Sequence, residues 1–372
     1  MSTTSALVVQ SAGAEPQLTT VALDSLQANE LKVQMHATGV CHTDLACMAG
    51  HLPVQFPNVF GHEGAGIVLE TGSGITDIQV GDKVLLSYNF CGECAQCNSE
   101  FPAYCEKVLQ LNFGGKRLDG SSALRLSNDP GQEVFSNFFG QSSFSQVAVV
   151  SMSSAVRVPP NANLELFAPL GCGMQTGAGA ILNTLNVKPG SSVAVFGTGC
   201  VGLSAVMAAK IRGARIIVAV DIQPERLDLA RELGATHAFR GDDPSIRKLI
   251  MDLCGSSLGV DFAVDCSGAI PVIENMIATL GIRGKAASVG APAPGKKVEV
   301  EVFSHLTMGR QYIGCHQGDS ISTKTIPYLM EQHAQGNFPL ERLIKVYKSK
   351  EFLQAFQDMK DGKVLKPVLK WI

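Results

Sequence analysis

The stretch SVAVFGTGCVGLSAVMAAKIRGARIIVAVD, residues 192–221, decides the fold. A β-rich apolar run, SVAVFG (192–197), leads into Gly197-Thr-Gly199-Cys-Val-Gly202; a helix-period run follows from Gly199 to Ile211, and a second apolar run, RIIVAVD, ends at Asp221. Strand, Gly-rich turn, helix and strand in that order make a βαβ unit, the context in which three spaced glycines carry meaning. Gly197 permits the tight turn, Gly199 lets backbone approach a pyrophosphate, and Gly202 lets helix and strand pack closely, with Cys200 and Val201 completing the phosphate-binding turn at the helix N-terminus. Asp221 stands at the end of the second strand, where a carboxylate accepts hydrogen bonds from an adenosine ribose 2′-hydroxyl and repels a 2′-phosphate. That position predicts NAD rather than NADP. Arg226, in the first turn of the next helix, has the reach to approach the ribose side; such a position is also the ordinary place for a solvated arginine.

Outward from this unit the same grammar continues. A helix opens at Pro224, in the favoured first-turn position, and ends at Gly234; THAFR, a helix near SIRKLIMDLC, the strand VDFAVDCSG, another helix and the strand GKAASVGA follow. Repeated βαβ units predict an α/β doubly wound parallel sheet of the Rossmann type, spanning residues 174–317. Before about residue 170 the chain reads differently, as short β segments with turn punctuation: SALVVQS, LTTVALD, ELKVQMHATGV, GAGIVLETGSG and GDKVLLSY. The last stretch, from residue 318, carries an amphipathic helix near KTIPYLMEQHAQG and ends in VLKPVLKWI, which is expected to return to the first domain. Residues 1–173 and 318–372 therefore form a mostly β domain. The strand QYIGC (311–315) is expected at the far edge of the parallel sheet, where an unpaired ladder invites a second copy and so a homo-oligomer, dimer or tetramer.

Composition bounds the rest. The 372 residues are 45% hydrophobic and 17% charged, which fits two globular domains and argues against disorder. A net charge of -3 and the absence of any Lys/Arg run exclude an electrostatic footprint for nucleic acid or an anionic membrane, leaving a small-molecule substrate as the expectation. No window holds eighteen consecutive apolar residues, the opening MSTTSALVVQS lacks the charged and apolar regions of a secretory signal, and LKPVLKWI is no retention or peroxisomal signal, so the cytoplasm is the expected compartment.

Cysteine spacing carries the chemistry. Cys91-Gly-Glu-Cys94-Ala-Gln-Cys97, followed by Cys105, gathers four soft ligands with two-residue gaps, the pattern of a closed, structural Zn²⁺ site. Two disulfides are the rival, opposed by a reducing compartment, and an iron–sulfur cluster is the other, with no second sign of electron transfer. Cys41 in GVCHTD, His62 in GHE and Cys172 in GCGMQTG supply two thiols and an imidazole that would leave a zinc one open position, the arrangement catalysis requires. On spacing alone these three read equally as buried core residues. Cys47, Cys200, Cys254, Cys266 and Cys315 sit among small or apolar neighbours and read as small buried hydrophobes.

Gly61-His62-Glu63-Gly-Ala-Gly66, with Gly72 and Ile75 at the expected offsets, resembles the zinc-binding motif of medium-chain zinc-dependent alcohol dehydrogenases, and the likeness runs over essentially the whole chain. GVCHTDL, SYNFCGECAQCNSEFPAYC, QSSF and PLGCGMQTGAGA are similar to the NAD-dependent aryl-alcohol (benzyl-alcohol) dehydrogenases within that family. The resemblance implies a GroES-like catalytic domain beside the Rossmann domain, with two zinc ions per chain: a catalytic one on Cys41, His62 and Cys172 and a structural one on Cys91, Cys94, Cys97 and Cys105. It further implies that Glu63 tunes or transiently visits the metal, that Thr43 touches the substrate oxygen and starts a proton relay, that His42 and Lys366 meet the cofactor pyrophosphate, and that Thr176, Gly268 and Gly290 face the cofactor. One departure stands out: where well-known members carry the relay histidine this chain has Ala46, so water or another base, with His51 a neighbour in sequence, must complete the path. Tyr88 and Phe90 are candidates either for the wall of an aromatic substrate pocket or for the core. The implied reaction is the reversible oxidation of a primary, aromatic or allylic, alcohol to its aldehyde with NAD. The alternatives are a glutathione-dependent formaldehyde dehydrogenase, a specialised biosynthetic reductase, and an NAD-binding relative without catalysis.

Overall fold

Ser192–Phe196 and Ile216–Asp221 are buried at every position and pair in parallel from Ser192↔Ile216 to Phe196↔Val220. Helices cover both faces of a parallel sheet, which is why such strands carry continuous apolar runs rather than alternation. In the computed structural model, which describes residues 2–129, 131–255 and 258–372, the sheet has six strands. Their order is His237–Arg240, Ile216–Asp221, Ser192–Phe196, Val260–Asp265, Leu280–Ser288 and Gln311–Gly314, every neighbouring pair parallel. The order reverses at Ser192–Phe196, and the carboxyl ends of strands around such a switch point form the crevice in which dinucleotides bind. The helix Cys200–Ile211 starts there. Its close approach depends on Gly202, where a Cβ would stand 1.8 Å from the Gly197 carbonyl oxygen, and on Gly197, whose φ of +88° suits a glycine.

The chain divides into two compact units, one of residues 1–172, 321–330 and 340–372, the other of residues 173–320 and 331–339. The segment 331–339 belongs to the second unit, where the sequence reading gave everything after 318 to the first. The boundary falls inside the continuous helix Ser322–Ala334, so no turn or linker marks it in the sequence.

The first unit is β-rich. Its longest strand, Glu30–Gly39, alternates buried and half-buried positions along most of its length, the period of a strand with one face on a core. Glu63–Thr71, Val147–Ser151 and Lys366–Lys370 all pair antiparallel with it, so the C-terminal strand returns to this unit as expected. A second sheet runs Asn58–Val59, Thr3–Val9, Gln17–Leu23, Leu124–Leu126, Glu133–Val134. Leu7, Val33, Phe60, Phe138, Phe144 and Trp371 share one core, and Tyr88 is buried in it. Of the two candidate pocket aromatics, Tyr88 is thus a core residue; Phe90 is half-buried, its ring 6.0 Å from that of Tyr88. The short helix Val302–Thr307, capped by Glu301, had no sequence counterpart because its apolar side chains are exposed.

Gly202→Ala is expected to destabilise the protein by about 1–3 kcal/mol, the usual cost of overpacking, and to abolish the expected dinucleotide binding. Thermal unfolding with and without NAD checks it: the variant's transition should no longer rise with added NAD.

Candidate metal sites and dinucleotide turn

Sulfurs at the corners of a tetrahedron, each about 2.3 Å from a central zinc, are about 3.8 Å apart. In the lobe, Sγ–Sγ distances are 3.9 Å for Cys91–Cys97, 3.5 Å for Cys94–Cys97 and 4.0 Å for Cys94–Cys105. These spacings match a four-thiolate zinc and are about twice the length of a disulfide bond. Backbone amides of Cys91 and Lys107 also point at Cys105 Sγ, at 3.3 and 3.4 Å, as donors do toward thiolates. The fit is good.

The second cluster is assembled around Asp44, a residue the sequence reading quoted without assigning it a role. Cys41 is the N-cap of the helix His42–Met48, and Asp44 in its first turn is fully buried. Its Oδ2 accepts from the Cys41 amide at 2.9 Å; its Oδ1 accepts from the Gly61 amide at 3.1 Å and lies 2.8 Å from His62 Nδ1. Fixing Nδ1 as the donor turns Nε2 toward whatever the site holds. That Nε2 is buried and has no hydrogen-bond partner. The ligating atoms of Cys41, His62, Glu63 and Cys172 lie within 4.8 Å of one another. An orphaned imidazole nitrogen, two thiols and a carboxylate, all gathered in the interior, fit a zinc with one position open.

Protonation follows from the crowding. Burial works to lower the His62 imidazole, but the Asp44 carboxylate and its hydrogen bond outweigh it and raise the group to about 10. Burial pushes Glu63 up to about 7 against the pull of Lys366. The Cys172–Cys41 hydrogen bond drives the two thiols apart, Cys41 well down and Cys172 well up. A dication entering this site displaces protons from groups that otherwise share them.

Two further residues position His62. Gln141 is fully buried; its Oε1 accepts from the Gly64 amide at 3.0 Å, and its Nε2 donates to the His62 and Ser87 carbonyls, each at 2.9 Å. Phe139 stacks on the His62 ring at 4.5 Å and 26°, while Phe138 meets it edge-on at 5.5 Å. The segment bearing them has left-handed backbone at Asn137, Phe139 and Ser142, a conformation that costs non-glycine residues about 1–3 kcal/mol each and persists only where the surroundings impose it. The sequence signal for this was the string QSSF; the strain itself left none.

Lys366, expected at the cofactor pyrophosphate, is 2% exposed, with Nζ 2.8 and 2.9 Å from the two Glu63 carboxylate oxygens and 3.0 Å from the Val40 carbonyl. Thr43 lies in the same helix as Asp44, with Oγ1 3.8 Å from Cys41 Sγ, and His42 is exposed at the helix start. Ala46 is half-buried, and His51 is exposed just beyond the helix.

In the second unit, Gly197, Gly199, Cys200, Val201 and Gly202 form the turn and first helical residues that the sequence implied. Asp221 closes its strand beside them. Arg226 sits in the first turn of the helix Pro224–Leu233, half-buried, its Nε without a hydrogen-bond partner. Gly268, at φ +70°, and Gly290 pack against each other's backbone beyond the strands Val260–Asp265 and Leu280–Ser288. Thr176 lies in the helix Gly173–Gly179, with Oγ1 3.4 Å from Gln317 Oε1.

A buried Cys41–His62–Cys172 cluster and a four-cysteine lobe that each fit a zinc ion, together with a dinucleotide turn, are the features of a zinc-dependent dehydrogenase. Residues 27–160 match the alcohol dehydrogenase GroES-like domain and residues 200–334 the zinc-binding dehydrogenase domain. The chain is 38% identical to a geraniol dehydrogenase of Castellaniella defragrans over 98% of its own length and 96% of that protein's. It is 36% identical to an S-(hydroxymethyl)glutathione dehydrogenase of Synechocystis over 92% and 93%. Among solved structures it superposes with a TM-score of 0.95 on benzyl alcohol dehydrogenase from Acinetobacter calcoaceticus, at 40% identity and with both chains fully covered. A zinc-binding alcohol dehydrogenase domain protein from Burkholderia ambifaria gives 0.97 at 44% identity, covering 100% and 99% of the two chains. The chain belongs to the zinc-dependent medium-chain alcohol dehydrogenase family. It is an NAD-dependent enzyme of that family.

Cys172→Ser is expected to lower the zinc content from two ions per chain to one and to abolish NADH formation, leaving the lobe's metal in place. Metal analysis beside an activity assay checks both; normal zinc content with surviving turnover would remove Cys172 from the ligand set.

Proposed function

We propose that this enzyme interconverts aromatic or allylic primary alcohols and their aldehydes with NAD, and that Cys41, His62 and Cys172 carry the reaction's metal. The orphaned Nε2 of His62, held by Asp44 beside two thiols, is the observation that carries the assignment. The substrate class is supported by the relatives that act on geraniol and benzyl alcohol.

When bound, zinc supplies a Lewis acid for the alcohol oxygen and NAD accepts the hydride. The chain does the rest. Asp44 holds the His62 ring in one tautomer and one orientation, and Phe139 and Gln141 keep it there. Lys366 neutralises Glu63, which tunes the donor set from beside the ligands. Thr43 takes the alcohol proton through its hydroxyl. Because Ala46 offers no titratable group, the proton passes from Thr43 to water.

NADH formation from benzyl alcohol and geraniol, compared with ethanol, tests the reading. The kcat/KM for either of the first two should exceed that for ethanol by about tenfold or more, since each added apolar contact in a complementary pocket discriminates by such factors. Turnover only of formaldehyde with added glutathione would transfer the chain to the other branch its relatives include.

The working form is a homo-oligomer in the cytoplasm. Gln311–Gly314 ends the parallel sheet with one side unpaired by any other strand among the described residues. The adjacent helix Val302–Thr307 exposes Val302 by 74%, Phe303 by 73% and Leu306 by 74%, three large apolar side chains that a second copy of this edge would cover. Among the described residues no helix is long and apolar enough to cross a membrane. Phe303→Glu should shift the protein toward the monomer in sedimentation velocity with its zinc content unchanged; an unaltered sedimentation coefficient would place the interface elsewhere.

A further inference from the structure

Thr198 lies between the first two glycines of the dinucleotide turn and is fully buried. Its amide donates to Asp221 Oδ2 at 2.7 Å and its hydroxyl donates to the same oxygen at 3.0 Å. Asp221 Oδ1 accepts from the Gln223 amide at 3.0 Å. A carboxylate oxygen has two lone pairs, so Thr198 occupies both of those on Oδ2, and Oδ1 keeps one for a ligand. The amide contact is available to any residue at position 198, because the turn's geometry comes from its glycines. The hydroxyl contact is not. The hydroxyl donates to the Asp221 side chain, the group expected to meet the adenosine ribose.

We infer that Thr198 is a specificity-determining positioning residue: its hydroxyl fixes the Asp221 carboxylate in the orientation that accepts from a ribose 2′-hydroxyl and repels a 2′-phosphate. Three donors converge on the two carboxylate oxygens, so the plane of the group is set before a cofactor arrives. A ribose 2′-hydroxyl can donate to the remaining Oδ1 lone pair. A 2′-phosphate brings negative charge and no donor, and a carboxylate pinned from two sides cannot swing away to accommodate it. Without the hydroxyl, Oδ2 loses one of its two tethers and the carboxylate can rotate about its Cβ–Cγ bond. The inference rests on NAD as the cofactor, with Asp221 as the residue that selects it.

The experiment measures kcat/KM for NAD and for NADP with the zinc-replete enzyme and its Thr198→Val and Thr198→Ser variants, and with Thr198→Val placed in an Asp221→Ser background. Thr198→Val, similar in shape without the hydroxyl, should lower the NAD:NADP preference by about tenfold, the scale of one hydrogen bond to a charged group. The loss should appear in the KM for NAD rather than in kcat, and Thr198→Ser should restore the preference. In the Asp221→Ser background the valine should change the ratio no further. An unchanged preference in Thr198→Val, or an equal fall when Asp221 is already absent, would overturn the inference. Should the valine variant fail to fold, Thr198→Ala carries the same two readings. A wild-type enzyme that prefers NADP would instead remove the cofactor reading beneath it, an outcome distinct from an inert Thr198.

Discussion

The buried Cys41–His62 cluster depends on one carboxylate. Asp44 gathers the Cys41 amide, the Gly61 amide and His62 Nδ1 on two oxygens, tying the start of a helix to the turn before a strand. Cys41 and His62 are distant in sequence, and Asp44 is the group that brings their backbones to one point. A fully buried carboxylate is costly to desolvate, so its donors must all be present together, and the arrangement forms cooperatively or not at all. The ligand positions are thereby fixed by the fold before a metal arrives. A preformed site pays less ordering entropy on binding than one assembled around the ion.

Around that node the first unit stores local strain. Asn137, Phe139 and Ser142 adopt left-handed backbone within six residues of chain, and Gln141 and Ser142 fasten the segment to the His62 carbonyl, just before the strand Glu63–Thr71, and to the Val59 carbonyl. Side-chain hydrogen bonds from buried groups are what make the strained conformation the stable one, since each would be left unsatisfied if the segment relaxed. The result is an aromatic ring laid on the metal-binding imidazole, a contact that limits the ring's rotation and excludes water from one of its faces.

What the sequence displayed and what it hid divide along physical lines. Periodic features were legible: the apolar runs of Ser192–Phe196 and Ile216–Asp221, the glycines between them, and the two-residue cysteine gaps each impose a local geometry that spacing alone encodes. Long-range pairings were not. Nothing around Asp44 signals that its partner is His62, and nothing around Lys366 signals that its partner is Glu63, because a single charged residue reads the same whether it faces solvent, phosphate or another charge. The family resemblance supplied the expected ligand set and residue roles. The helix Ser322–Ala334 shows the converse limit: it is continuous in secondary structure and divided between two units, so the unit boundary lies where no turn could announce it.

Lys366 and Glu63 form a buried ion pair beside the metal-site cluster. Burial drives Glu63 up to about 7 even with Lys366 in contact, because desolvation disfavours the charged carboxylate. Removing the ammonium would leave either a proton on Glu63 or an unpaired charge next to two thiolate ligands, and both change the electrostatics of the metal. With Lys366 in place the ammonium offsets the charge of Glu63. The ammonium's contact with the Val40 carbonyl, immediately before the ligand Cys41, holds it on the metal side. The same ion pair thus sets the charge felt by the metal and anchors the backbone that delivers one of its ligands.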